Sequence, residues 1–120
     1  MTKTALIGSH PGNDVIALVT GRYLEYIGYT PTIAHSVDEI LQKMDIHFDA
    51  VVMELNLGKP GSYDYTPAKT IYSQTPIQAG VTNFIGFSGN IKEPILIEGM
   101  ICIPKPFNLQ ILTDALEGRI

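Results

Sequence analysis

Strand-like and helix-like stretches alternate along the whole chain. Thr4 to Gly8 (TALIG) is a short apolar run, the pattern of a buried strand. Ser9 to Asn13 (SHPGN) is a turn rich in Pro and Gly. Asn13 or Asp14 can cap the helix that follows, in which Ala17, Thr20, Leu24 and Ile27 recur at helical spacing and Gly28 supplies the stop. Tyr29 to Ala34 (YTPTIA) predicts a second, weaker strand, and Pro31 within it predicts an edge position. Ser36 and Glu39 form a capping box, opening a helix with Val37, Ile40, Leu41 and Met44 on one side.

Asp49 to Leu55 (DAVVMEL) carries the strongest strand signal, nearly continuous apolar character that suits a central parallel strand covered on both faces. Gly58 to Ser62 reads as a flexible loop. A weak helix is predicted from about Tyr65 to Gln74, between Pro60 and Pro76. Asn83 to Phe87 (NFIGF) is a fourth strand ending at Ser88-Gly89, and Met100 to Ile103 (MICI) a fifth. Asn108 caps a last helix with Leu109, Leu112 and Leu116 inward. Together these predict an α/β fold, a doubly wound five-stranded parallel sheet of flavodoxin-like form with right-handed crossovers, as one domain over residues 1–120. Pro94 predicts that the fourth helix is shortened or irregular.

Composition narrows the classes. At 120 residues, 45% hydrophobic and 17% charged, the chain is long enough for one core and argues against disorder. The net charge is −4 and no block of Lys or Arg exceeds a pair, so direct nucleic-acid binding is not expected. Cys102 is the lone cysteine, which excludes an internal disulfide and a multi-cysteine zinc site. No apolar run approaches the roughly 20 residues of a membrane span, and the pattern of a signal peptide is missing. No membrane association and a cytoplasmic location are the resulting expectations.

In open parallel sheets the site lies beyond the carboxyl ends of the strands. The residues predicted there are Ser9 and His10, then Glu54 with Asn56, then Ser88, then Lys105-Pro106-Phe107. An acid, a hydroxyl and an ammonium thus stand at the ends of different strands. In this order the chain resembles a receiver domain of two-component signalling, the chemotaxis-regulator fold. FDAVVMELNL resembles the family's central strand, with Glu54 where the phosphorylated Asp stands. FIGFSG resembles its fourth strand, with Ser88 as the hydroxyl that contacts the phosphoryl group. IPKPF resembles the end of its fifth strand, with Lys105 as the characteristic lysine, and the resemblance implies a cis bond before Pro106.

The departures carry the functional reading. The resemblance puts an acidic, Mg²⁺-holding pair after the first strand, where this chain has Ser9 and His10. It puts the aromatic switch residue at Cys102. Phosphoryl transfer to a carboxylate needs a nucleophile, a metal that neutralises developing charge, and a cation and hydroxyl that steady the oxygens. Mg²⁺ wants hard oxygen ligands, which Ser9 and His10 do not supply as carboxylates. Glu54 also reaches one methylene further than Asp, which misplaces an in-line attack.

The expectation is therefore a degenerate site at Glu54, Ser88 and Lys105, with weak or absent Mg²⁺ binding and no other cofactor. The domain is expected to be a non-enzymatic one that works by protein–protein contact. The resemblance implies a histidine kinase or a downstream signalling protein as partner. Glu54 imitating the phosphorylated state and Glu54 merely paired with Lys105 both remain open. So do a genuine phospho-acceptor, a small-ligand or nucleotide-binding module, the oligomeric state and a missing output domain. His10 with Glu54 could begin a zinc site, but a third ligand is not evident. A Ser88 nucleophile with His10 as base lacks the G-x-S-x-G elbow.

Overall fold

The computed structural model describes residues 3–12, 14–44, 46–58, 62–74 and 83–119. The elements run β1 (Lys3–Gly8), α1 (Asp14–Tyr26), β2 (Tyr29–Ala34), α2 (Val37–Lys43), β3 (Ala50–Glu54), α3 (Thr66–Gln74), β4 (Asn83–Ser88), β5 (Ile95–Ile97), β6 (Met100–Pro104) and α4 (Leu109–Leu116). Among the described residues the strands form one sheet in the order β2-β1-β3-β4-β6-β5. The pairs β1/β2, β1/β3, β3/β4 and β4/β6 are parallel, and only β5 runs antiparallel, against β6. The five predicted parallel strands are all present in doubly wound order, with β2 and its Pro31 at one edge. The predicted caps at Ser36 and Asn108 accept the Glu39 and Ile111 amides at 3.1 and 2.8 Å. The alternative cap at Asn13, residues 59–61 of the loop and Pro76 lie outside the described residues.

The sixth strand, β5, departs from the five-stranded expectation. A short or irregular helix was expected between β4 and the strand carrying Lys105. Instead the chain turns and forms β5, which returns to β6 through Glu98 and Gly99. Both have positive φ, 49° and 90°, the backbone of a two-residue hairpin loop. Pro94 opposes helix there, and the apolar run Ile95-Leu96-Ile97 pairs with Cys102, Ile101 and Met100.

Two cores sandwich the sheet. On one face Leu6, Val51, Met53 and Phe84 pack with Ile40 of α2 and with Ala68 and Ile71 of α3. On the other Ile7, Val52, Ile85, Phe87 and Ile103 pack with Leu24 of α1 and with Leu112, Ala115 and Leu116 of α4. The alternation of side chains along each strand assigns the two sets. At the amino end of the strands Asp49 clamps β1 to β3. Its carboxylate accepts the Thr4 N–H at 2.8 Å, and its own N–H donates to the Thr4 carbonyl at 2.8 Å.

Candidate functional site

Glu54 is the last residue of β3 and shares strand parity with Ala50 and Val52, on the α1/α4 face. One turn of the pleat beyond the apolar run, the same parity places a carboxylate at the carboxyl edge. It is 1% exposed. Lys105 has the parity of Ile103, just past β6, and its N–H donates to the Ser88 carbonyl at 3.1 Å. Its Nζ stands 3.7 Å from Glu54 Oε1. The Lys105–Pro106 bond is cis.

Ser9 and His10 follow β1. The close passage of β1 requires Gly8, since a Cβ there would stand 2.7 Å from Ile40 Cδ1 and 2.8 Å from Met53 Cβ. The Ser9 N–H donates to the Ala34 carbonyl at 3.0 Å, and the Ser9 carbonyl lies 3.2 Å from His35 Nδ1. This path turns the His10 imidazole inward. Its Nε2 lies 2.9 Å from Glu54 Oε2, with both side chains buried. The N–H direction is not well aligned with the carboxylate, so the contact is one of proximity more than a directed hydrogen bond.

The other ring nitrogen fixes the tautomer. The Gly58 N–H donates to His10 Nδ1 at 3.4 Å, which requires a lone pair on Nδ1. The neutral ring then carries its proton on Nε2, facing Glu54. One imidazole thereby ties the turn after β1 to the loop after β3. That loop is held a second time: the Asn56 and Asn90 side-chain amides both donate to the Ser62 carbonyl, at 3.2 and 2.9 Å. Ser88 Oγ accepts the Asn90 N–H at 3.1 Å, closing the turn after β4. The bonds made by His35, Gly58, Ser62 and Asn90 were not foreseen. Only the polar composition of these turns hinted at them.

Ser9, His10, Glu54, Asn56, Ser88 and Lys105 thus gather at the carboxyl edge. Within this group His10 Nε2 and Glu54 Oε2 stand 2.9 Å apart. Ser88 engages its own turn, so the pairing of Ser88 with His10 as nucleophile and base has no hydrogen bond behind it. Cys102 sits apart, fully buried in the α2/α3 core, its Sγ 3.5 Å from the Met100 carbonyl. Burial pushes its thiol up to about 11.

Among the described residues, no three His, Cys, Asp or Glu converge as ligands. At the turn after β1 Ser9 offers a hydroxyl and His10 an imidazole, whereas Mg²⁺ prefers hard anionic oxygen ligands. Among the described residues no helix is long and apolar enough to cross a membrane.

No protein-family model and no curated protein matches the sequence. Solved structures do match in fold. A CheY-like response regulator receiver domain from Methylobacillus flagellatus superposes with a TM-score of 0.73 at 21% identity, over 98% of each chain. The chemotaxis response regulator CheY4 of Vibrio cholerae matches over 100% of both chains, with a TM-score of 0.68 and 21% identity. A response regulator from Burkholderia pseudomallei, solved with a phosphorylated aspartic acid and a calcium ion, matches at 0.70 and 23% identity, over 95% of this chain and 66% of its own. At these identities the likeness is one of fold, and the fold is that of a CheY-like receiver domain.

Proposed function

We propose that this chain, folded as a receiver domain, is a signalling module that acts through contacts with other proteins and is not phosphorylated in the Mg²⁺-dependent manner of two-component signalling. One observation carries the reading. The His10 imidazole lies 2.9 Å from Oε2 of Glu54, the carboxylate that the resemblance matches to the phospho-acceptor. A metal-assisted transfer needs that carboxylate free to attack and a cation shared between it and the incoming oxygens. Here a protonated ring nitrogen occupies the approach, and the longer Glu54 side chain has Lys105 on its other oxygen.

What remains is a buried polar cluster that supports the edge loops. Histidine kinases and downstream signalling proteins are the partner classes that suit such a domain, with no catalytic role for the chain itself. The test is a backbone NMR spectrum recorded with beryllofluoride or a small phosphodonor, with and without Mg²⁺. Unchanged resonances at Glu54, Ser88 and Lys105 support the reading. Mg²⁺-dependent shifts centred on those residues overturn it in favour of a working phospho-acceptor.

A further inference from the structure

The edge beyond β6 is built differently from the rest of the sheet. The hairpin loop Glu98-Gly99 has two residues, so the closing pair Ile97 and Met100 exchanges backbone hydrogen bonds. The next pair, Leu96 and Ile101, then does not, and the Leu96 N–H and C=O point away from β6. Among the described residues β5 is the outermost strand on this side. The Leu96 side chain is 66% exposed and Ile95 42% exposed. On the face opposite Leu96, a groove of about 600 Å³ opens beside the strand, lined by Tyr63, Tyr65, Ile91, Ile95 and Ile97. An apolar, outward-facing edge of this kind is a template for another strand.

We propose that β5 pairs antiparallel with β5 of a second copy, about a two-fold axis at Leu96, joining two sheets into one. This interface lies outside the Glu54 site and stands whether or not the proposed function does. Charge selects the occupant. Lys92 and Glu93 precede β5, while Glu98 follows it with Lys69 at 2.8 Å from its carboxylate. Two-fold pairing with Leu96 opposite Leu96 sets Pro94 opposite Glu98 of the second copy. Lys92 then comes diagonal to that Glu98, within reach of long side chains, and Glu93 comes near its Lys69 partner. Opposite charges meet at both ends of the paired strands, and by symmetry each match occurs twice. On the groove side Ile95 faces Ile97 of the second copy. The Leu96 pair exchanges both backbone bonds, while Pro94 and the short strand limit the rest. A three-residue edge falls below the area of a stable dimer, so the association is weak and salt-sensitive.

The test is sedimentation velocity on the full chain from micromolar to millimolar concentration, at low and high salt. The expected result is a concentration-dependent dimer that weakens with salt. Leu96→Asp, at an exposed position outside the core, is expected to raise the dissociation constant at least about tenfold while its NMR spectrum stays folded. Lys92→Glu is expected to weaken the dimer, and adding Glu98→Lys to it to restore association. A wild-type chain that stays monomeric at millimolar concentration overturns the proposal and leaves the edge to a strand from a different protein. A Leu96→Asp variant that dimerises as the wild type does overturns it equally.

Discussion

The Nε2 of His10 faces the Oε2 of Glu54 across 2.9 Å, from the turn after β1 to the end of β3. Both side chains are buried, so each depends on the other for compensation of its lost hydration. Replacing His10 with Ala leaves Lys105, 3.7 Å away on the other oxygen, as the nearest cation. The expected cost is about 2–3 kcal/mol in urea unfolding. Adding Glu54→Gln to His10→Ala is expected to recover part of that loss. A double-mutant cycle with a coupling indistinguishable from zero would remove the pair from any account of the site.

The missing acids can be put back. A Ser9→Asp, His10→Asp, Glu54→Asp triple variant supplies the hard oxygen ligands that Mg²⁺ takes and removes the imidazole from the approach. It is expected to gain Mg²⁺-dependent beryllofluoride shifts near residue 54, where none are expected of the wild type. A folded triple variant that still ignores Mg²⁺ would show that something other than His10 and Ser9 closes the site.

Acid is expected to act at the opposite end of the sheet. The Thr4 N–H, then the hydrogen bond and charge of His47, hold the Asp49 carboxyl below its ordinary value of 3.8. A depressed folded pKa contributes stability that is present above the unfolded value and lost as pH falls through the folded one. The window is therefore below about pH 4. Comparing urea unfolding at neutral pH with unfolding in that window, Asp49→Asn is expected to lose less than the wild type. Asp49 is partly exposed, so solvent screening keeps the effect modest.

Cys102 is expected to be chemically silent while the domain is folded. It is fully buried and its thiol is raised to about 11, so thiolate is scarce at neutral pH. Modification by a thiol reagent should track unfolding and accelerate in denaturant. Fast modification of native protein, unchanged by denaturant, would contradict the burial.

Gly8 sets the path by which His10 reaches Glu54. A Cβ there meets Met53 Cβ at 2.8 Å, an atom fixed to its own backbone. Gly8→Ala is expected to destabilise by about 1–3 kcal/mol in denaturant titration. A neutral result would mean that β1 and β3 can separate without consequence.

Much of this was legible in the residues because periodicity and site chemistry agreed. The unbroken apolar run ending in Glu54 marks a central strand and a carboxylate at its edge at once. Lys105 and Ser88 follow from the ends of two further runs. Pro31 reads correctly as an edge residue. The β5 hairpin escaped because three residues give no periodicity and Glu98 is not a favoured residue at positive φ. The signal present was a two-residue Glu-Gly break between ILI and MICI. The His10 tautomer, the Ser62 carbonyl shared by two Asn amides and the Asp49 clamp escaped for a different reason. Each joins residues distant in sequence through polar atoms, and no local pattern encodes that.

The return from β4 to β6 runs within the plane of the sheet, down β5, and not through a helix on its face. Tyr72 of α3 fastens the turn, its hydroxyl donating to the Gly99 carbonyl at 3.4 Å and its ring edge-on to Phe84 at 5.3 Å. A lever that swings needs a rigid rod resting on a surface, and this margin of the molecule has a riveted hem instead. Moving this margin relative to β6 would therefore break strand-to-strand hydrogen bonds, which a helix lying on a sheet face can shift without doing.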